Sequence, residues 1–160
     1  MRDWLGHPLN GPAEKEPGHL SLPGLFSRSP VLEGQRVRLR LPVMQDAHDL
    51  FAYARDPEVA RFVLWDAHTT LSDSKDALRS MIRRNRRGTP DSFVIELKAE
   101  NRMVGTIGFQ AFDPQNRRAE VGYSLAHRLW GHGLATEALK LLCANAFDTL
   151  GMVRLEARHA

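Results

Sequence analysis

The chain has 160 residues, a formal net charge of +3, 42% hydrophobic and 26% charged residues. That is the make-up of one globular domain, with a charge that suits an anionic ligand and is too mild to indicate nucleic acid. No apolar run nears the roughly 20 residues of a spanning helix, and Met1 to Gly6 lacks a signal-peptide core, so a cytoplasmic location and no membrane partner are expected. The single cysteine, Cys143, excludes an intrachain disulfide framework, and the histidines show neither an i, i+4 pair nor carboxylates at metal-ligand spacing, so no metal site is expected.

Residues 1–34 are rich in glycine and proline and carry no helical or strand period. They read as an extended arm in front of a domain spanning 35–160, with Leu20, Leu22, Leu25 and Phe26 able to dock it. Arg36 to Leu41 alternates polar and apolar, the period of a half-buried strand that Pro42 ends. Asp46 is a cap for a helix with Ala47, Leu50, Phe51 and Ala54 on one face. Asp56-Pro57 opens a short second helix carrying Val59, Phe62, Val63 and Trp65. Ser72 or Asp73 starts a third, with Ala77, Leu78, Met81 and Ile82 inward. Its basic end, Arg83, Arg84, Arg86 and Arg87, either serves the helix dipole with Gly88 as the stop or meets a phosphate or acidic substrate.

An antiparallel run follows: strands at 93–97, 103–112 and 118–125, with turns at 99–102 and 113–116. Gly105 and Gly108 inside the middle strand predict a bulge or a close backbone approach. Leu134 to Leu150 is an amphipathic helix with Gly151 as its left-handed stop, and Val153 to Ala157 is a last strand. Cys143 falls on the apolar face of that helix, the place of an inert core thiol.

The junction between Tyr123 and Glu137 carries the chemistry. A strand breaks at Arg128-Leu129-Trp130-Gly131-His132-Gly133 and runs directly into a helix. Backbone N–H groups without side-chain cover, facing the positive end of a helix, make an anion cradle suited to a pyrophosphate. It is neither a three-glycine dinucleotide fingerprint nor a Walker A loop, because no G-K-[ST] follows.

Arg128 to Ala135 resembles the Q/R-x-x-G-x-G/A signature of GCN5-related N-acetyltransferases. Leu32 to Arg40, Asp46-Ala47, Ala119-Glu120-Val121-Gly122-Tyr123 and Trp130 to Leu139 are similar to its RimJ/RimL-type, ribosomal-protein-alanine branch, over roughly residues 31–160. The resemblance implies an α/β (α+β) fold with a mixed, mostly antiparallel sheet flanked by helices. It implies acetyl-CoA as co-substrate, its pyrophosphate on Gly131, His132, Gly133, Leu134, Ala135 and Thr136, with Arg128 alongside. The backbone of Tyr123, Ser124, Leu125 and Ala126 is then expected to pair with the pantetheine in a V between this strand and 153–157. Glu120 is the candidate base for the acceptor amine, and Tyr123 a lesser candidate acid for the leaving thiol. Trp130 either packs or anchors an acceptor.

The family pattern continues beyond the last strand with an asparagine- and serine-bearing segment, a helix and strands that are not found here. The expectation is therefore a C-terminally incomplete domain whose exposed sheet edge a homodimer covers. The acceptor is a protein N-terminus or a small amine, attacked directly in a ternary complex. The alternative is a non-catalytic CoA-binding or interaction module.

Overall fold

The computed structural model describes residues 31–87 and 92–158. The arm expected over 1–34 lies outside the described residues except for its last four, and so does Gly88. Six strands form one sheet in the order of the chain: β1 (Leu32–Glu33), β2 (Val37–Arg40), β3 (Ser92–Leu97), β4 (Arg102–Asp113), β5 (Arg118–Leu125) and β6 (Arg154–Ala157). Neighbours from β1 to β5 are antiparallel, and only β5 and β6 run parallel. Among the described residues four α-helices flank the sheet: α1 (Ala47–Ala54), α2 (Pro57–Ala60), α3 (Leu71–Arg86) and α4 (Leu134–Asp148). The expected mixed, mostly antiparallel sheet flanked by helices is what the chain forms.

Strand alternation sorts side chains to two cores. Val37, Leu39, Phe93, Ile95, Val104 and Ile107 face α4, which contributes Leu134, Ala138, Leu142 and Ala146. Val94, Met103 and Ala126 face the other way, onto Leu50, Tyr53 and Ala54 of α1 and Ala77, Leu78 and Met81 of α3. Each fully buried aliphatic side chain contributes about 1.5–3 kcal/mol of transfer free energy.

Several local readings shift. Leu32 and Glu33, assigned above to the arm, pair with Leu39 and Arg38 as β1. The second helix stops at Ala60, so Phe62 is left exposed while Trp65 turns inward. Helix α3 starts one residue earlier than expected. Thr70 is its N-cap, and Asp73 closes a capping box from the third helical position. Gly105 allows the close approach anticipated for it: a Cβ there would lie 2.3 Å from the carbonyl oxygen of Ser124. β4 carries two bulges: Val104, beside Gly105, is the extra residue opposite Ile95 and Glu96, and Gln110 is the extra residue between the pairs Phe109–Val121 and Ala111–Glu120. Gln110 then lies over Gly122, which has no side chain to exclude it.

Between β2, β3 and the turn before α1 sits a largely buried charge cluster. Arg40 donates to Glu96 at 2.6 Å and grips both oxygens of Asp46 at 3.0 and 2.7 Å. The hydrogen bond to Asp46 and then that to Glu96 raise the guanidinium's pKa despite burial. Arg38 stands 3.3 Å from the other Glu96 oxygen. Removing one member of such a group leaves buried charge without a partner. Arg40→Ala is expected to cost about 3 kcal/mol, read as a lowered urea midpoint in equilibrium unfolding.

Candidate functional site

Strand β5 has a neighbour on both sides for only half its length. It pairs with β6 from Arg118↔Arg154 to Val121↔Ala157, while its pairing with β4 continues to Leu125. From Gly122 to Leu125 no described strand pairs with its outer edge. The Ala126 N–H donates to Val104 O at 2.8 Å, which places Leu125 opposite Gly105 as a non-hydrogen-bonded pair. By the same alternation, Tyr123 and Leu125 turn their N–H and C=O groups outward, and Ser124 turns its own to β4. The indole N–H of Trp130 takes the outward carbonyl of Leu125 at 2.8 Å. The N–H groups of Tyr123 and Leu125 meet no acceptor among the described residues.

The open edge leads into the break. Gly131 and Gly133 both have φ of +77°, a left-handed conformation that costs a residue with a Cβ about 1–2 kcal/mol. Gly133 is also the N-cap of α4, so no side chain caps that helix. The first intrahelical bond runs from Glu137 N to Gly133 O at 3.0 Å. No acceptor among the described residues meets the N–H groups of Gly131, His132, Gly133, Leu134, Ala135 or Thr136. A continuous run of orphan donors at a helix N-terminus attracts an anion through both hydrogen bonds and the dipole.

A carboxylate stands in the first turn of the same helix. Burial pushes the Glu137 carboxyl up, but hydrogen bonds from the backbone of Arg36 and Val37, and from the Arg36 side chain, hold it below the usual range. The donors are Arg36 N at 2.6 Å, Val37 N at 3.1 Å and Arg36 Nε at 2.9 Å. Arg36 Nη1 also donates to His132 O at 2.7 Å. Gly34 makes room for this, since a Cβ there would lie 2.7 Å from Glu137 Oε1. The start of β2 is thus tied to both the break and the helix.

Comparison with known proteins matches residues 36–160 to the acetyltransferase (GNAT) domain family. The chain belongs to that family. Over 124 residues it is 34% identical to the uncharacterized N-acetyltransferase p20 of Bacillus licheniformis, covering 78% of this chain and 70% of that protein. Two solved structures share the fold. One, from Vibrio cholerae and provisionally described as a ribosomal-protein-serine acetyltransferase, has TM-score 0.71 at 21% identity over 79% of this chain and 72% of that one. The other, RimL ribosomal L7/L12 alpha-N-protein acetyltransferase in complex with coenzyme A, has TM-score 0.67 at 20% identity over 78% and 71%. The chain is therefore an acetyl-CoA-dependent acetyltransferase domain, with acetyl-CoA as its co-substrate. No helix among the described residues is long and apolar enough to cross a membrane.

The acetyltransferase fold distributes the remaining candidates unequally. Glu120 lies one residue before the β5–β6 pairing ends, in register with Glu156, and its side chain is 17% exposed with Arg158 Nε 3.2 Å away. Arg128 grips both oxygens of Glu100 at 2.9 and 2.6 Å, so its charge is neutralised away from the orphan donors. Ser124 is buried: its hydroxyl meets Thr106 at 2.9 Å and Tyr53 at 3.4 Å. Burial pushes the Tyr53 phenol up to about 12, which keeps it a neutral donor. Ala126 gives its N–H to β4, and the side chains of Tyr123, His132 and Thr136 are exposed. Trp130 closes on its own loop, with Phe62 edge-on at 6.0 Å and His127 at 4.4 Å. Burial raises the Cys143 thiol, consistent with an inert side chain.

Sequence reasoning overlooked the Arg36–Glu137 pair. The signal was present: an acid in the first turn competes with a bound anion for the same helix terminus, and a cation beside it offsets their repulsion. Because the folded carboxyl is depressed, its contribution is full above the ordinary value of 4.5 and is lost as pH falls through the lower folded value. Wild type is expected to be more stable than Glu137→Gln by a constant margin above about pH 5. That margin shrinks on acidification, as urea titrations from pH 7 to 3 will show.

Proposed function

We propose that this domain transfers the acetyl group of acetyl-CoA to a free amine in a ternary complex, without a covalent enzyme intermediate. The observation that carries the proposal is the outer edge of β5 that no described strand covers, followed after one short turn by the orphan donors of residues 131–136. An extended amide chain ending in phosphates needs such an edge followed by such a cradle. Tyr123 and Leu125 would hold the pantetheine arm as an added strand. Gly131, Gly133, Leu134, Ala135 and Thr136 would hold the pyrophosphate through backbone N–H groups, and the left-handed conformation of both glycines and the open space beside Gly131 fit a close-lying ligand.

Acetyl-CoA supplies an activated acyl group. The acceptor amine must first lose a proton, and Glu120 is the candidate base to take it, directly or through water. Glu120 lies one residue before the last described β5–β6 pair, beside the stretch of β5 that no described strand covers. The described nucleophile candidates do not compete: Cys143 lies on α4, and Ser124 is held in a buried hydroxyl cluster. A protein N-terminus is the favoured acceptor, supported by the alpha-N-protein activity named for the RimL neighbour. A small amine is the other acceptor class.

Glu120→Gln is expected to lower kcat about 10²- to 10⁴-fold while leaving CoA affinity within a few-fold of wild type. Thiol release from acetyl-CoA against a panel of N-terminal peptides and amines, with calorimetry for CoA, measures both. CoA binding without thiol release for any acceptor in wild type would instead assign a non-catalytic CoA-binding module.

A further inference from the structure

The orphan donors of residues 131–136 have one cation beside them that does not belong to their own loop or helix. Arg36 reaches them from the start of β2. Its Nε holds Glu137 and its Nη1 holds His132 O. Its Nη2 bonds no described residue and stands 3.4 Å from the position of a Cβ on Gly133. The side chain is 47% exposed.

We propose that Arg36 is a phosphate-binding residue of the CoA site, which both positions the loop and presents its remaining nitrogen to the ligand. This rests on the acetyl-CoA reading above and deepens it. The argument is one of geometry and charge. Backbone N–H groups carry only partial charges, and Arg128, the loop's own arginine, is committed to Glu100. Glu137 brings a full negative charge into the same turn. The backbone N–H groups of Arg36 and Val37 share the load of that carboxylate, so the guanidinium's outer edge stays a donor. A planar guanidinium spreads five donors over three nitrogens in a fixed fork, whereas an ammonium has its three on a single nitrogen.

The test is CoA affinity by calorimetry for wild type, Arg36→Gln and Arg36→Lys over a salt series, with urea midpoints alongside. Both variants keep the backbone contacts to Glu137, so folding is retained. Arg36→Gln is expected to weaken CoA about tenfold or more and to flatten the salt dependence. Arg36→Lys, which restores the cation but not the fork, is expected to lie between the two. Unchanged CoA affinity in Arg36→Gln overturns the proposal. Equal weakening in both variants with an unchanged salt slope also overturns it, because that pattern belongs to a loop-positioning residue alone. Absence of CoA binding in wild type refutes the acetyl-CoA reading itself, a result distinct from either.

Discussion

A helix that begins with glycine and carries no cap can persist only if something outside it satisfies its first turn. In α4 that constraint is acute. Gly133 offers no side chain, the donors from Gly131 to Thr136 have no protein acceptor among the described residues, and Glu137 adds a negative charge where an anion is wanted. Arg36 resolves the conflict by binding the carboxylate and the loop carbonyl together. The stability of the helix start and the capacity to bind phosphate are therefore set by the same few contacts. An uncapped terminus is locally unfavourable, and here that deficit is what makes the site receptive.

The sheet supplies the second half of the design. Two cores on opposite faces hold β5 in place, so its outer edge can be left open without loosening the strand. The buried hydroxyls of Ser124, Thr106 and Tyr53 occupy the face opposite α4, and the Arg40 cluster locks β2 and β3 to the turn before α1. An unpaired strand edge is ordinarily a liability for aggregation. Among the described residues, the stretch of β5 beyond its pairing with β6 is short, from Gly122 to Leu125.

Much of this was legible in the sequence. Alternation marked β2, turn residues bounded β5, helical spacing marked α4, and the paired glycines marked the break, because each is a local property that neighbours in sequence dictate. Thr70 as the cap of α3 was missed because two plausible caps follow it within three residues. Phe62 and Trp65 read as one helical face, yet the turn after Ala60 sends them in opposite directions. The outward parity of Tyr123 and Leu125 depends on register with β4, which no single strand encodes. Arg36 looked like one more polar position in an alternating strand. Its role depends on a contact with a helix a hundred residues away, and local pattern carries no trace of that.

Each strand in this sheet pairs with the next one along the chain, so the sheet can grow outward in the order of synthesis. The link between Arg36 and Glu137 cannot form that way, since it joins residues 101 positions apart. Closing so long a loop carries an entropic cost that nearer contacts do not, and such contacts are favoured only once the intervening structure exists. The Arg36 contacts therefore wait on the meeting of β2 and α4. The cation at the anion site is present only once those two elements have met, which makes its share of ligand binding a report on the completeness of their packing.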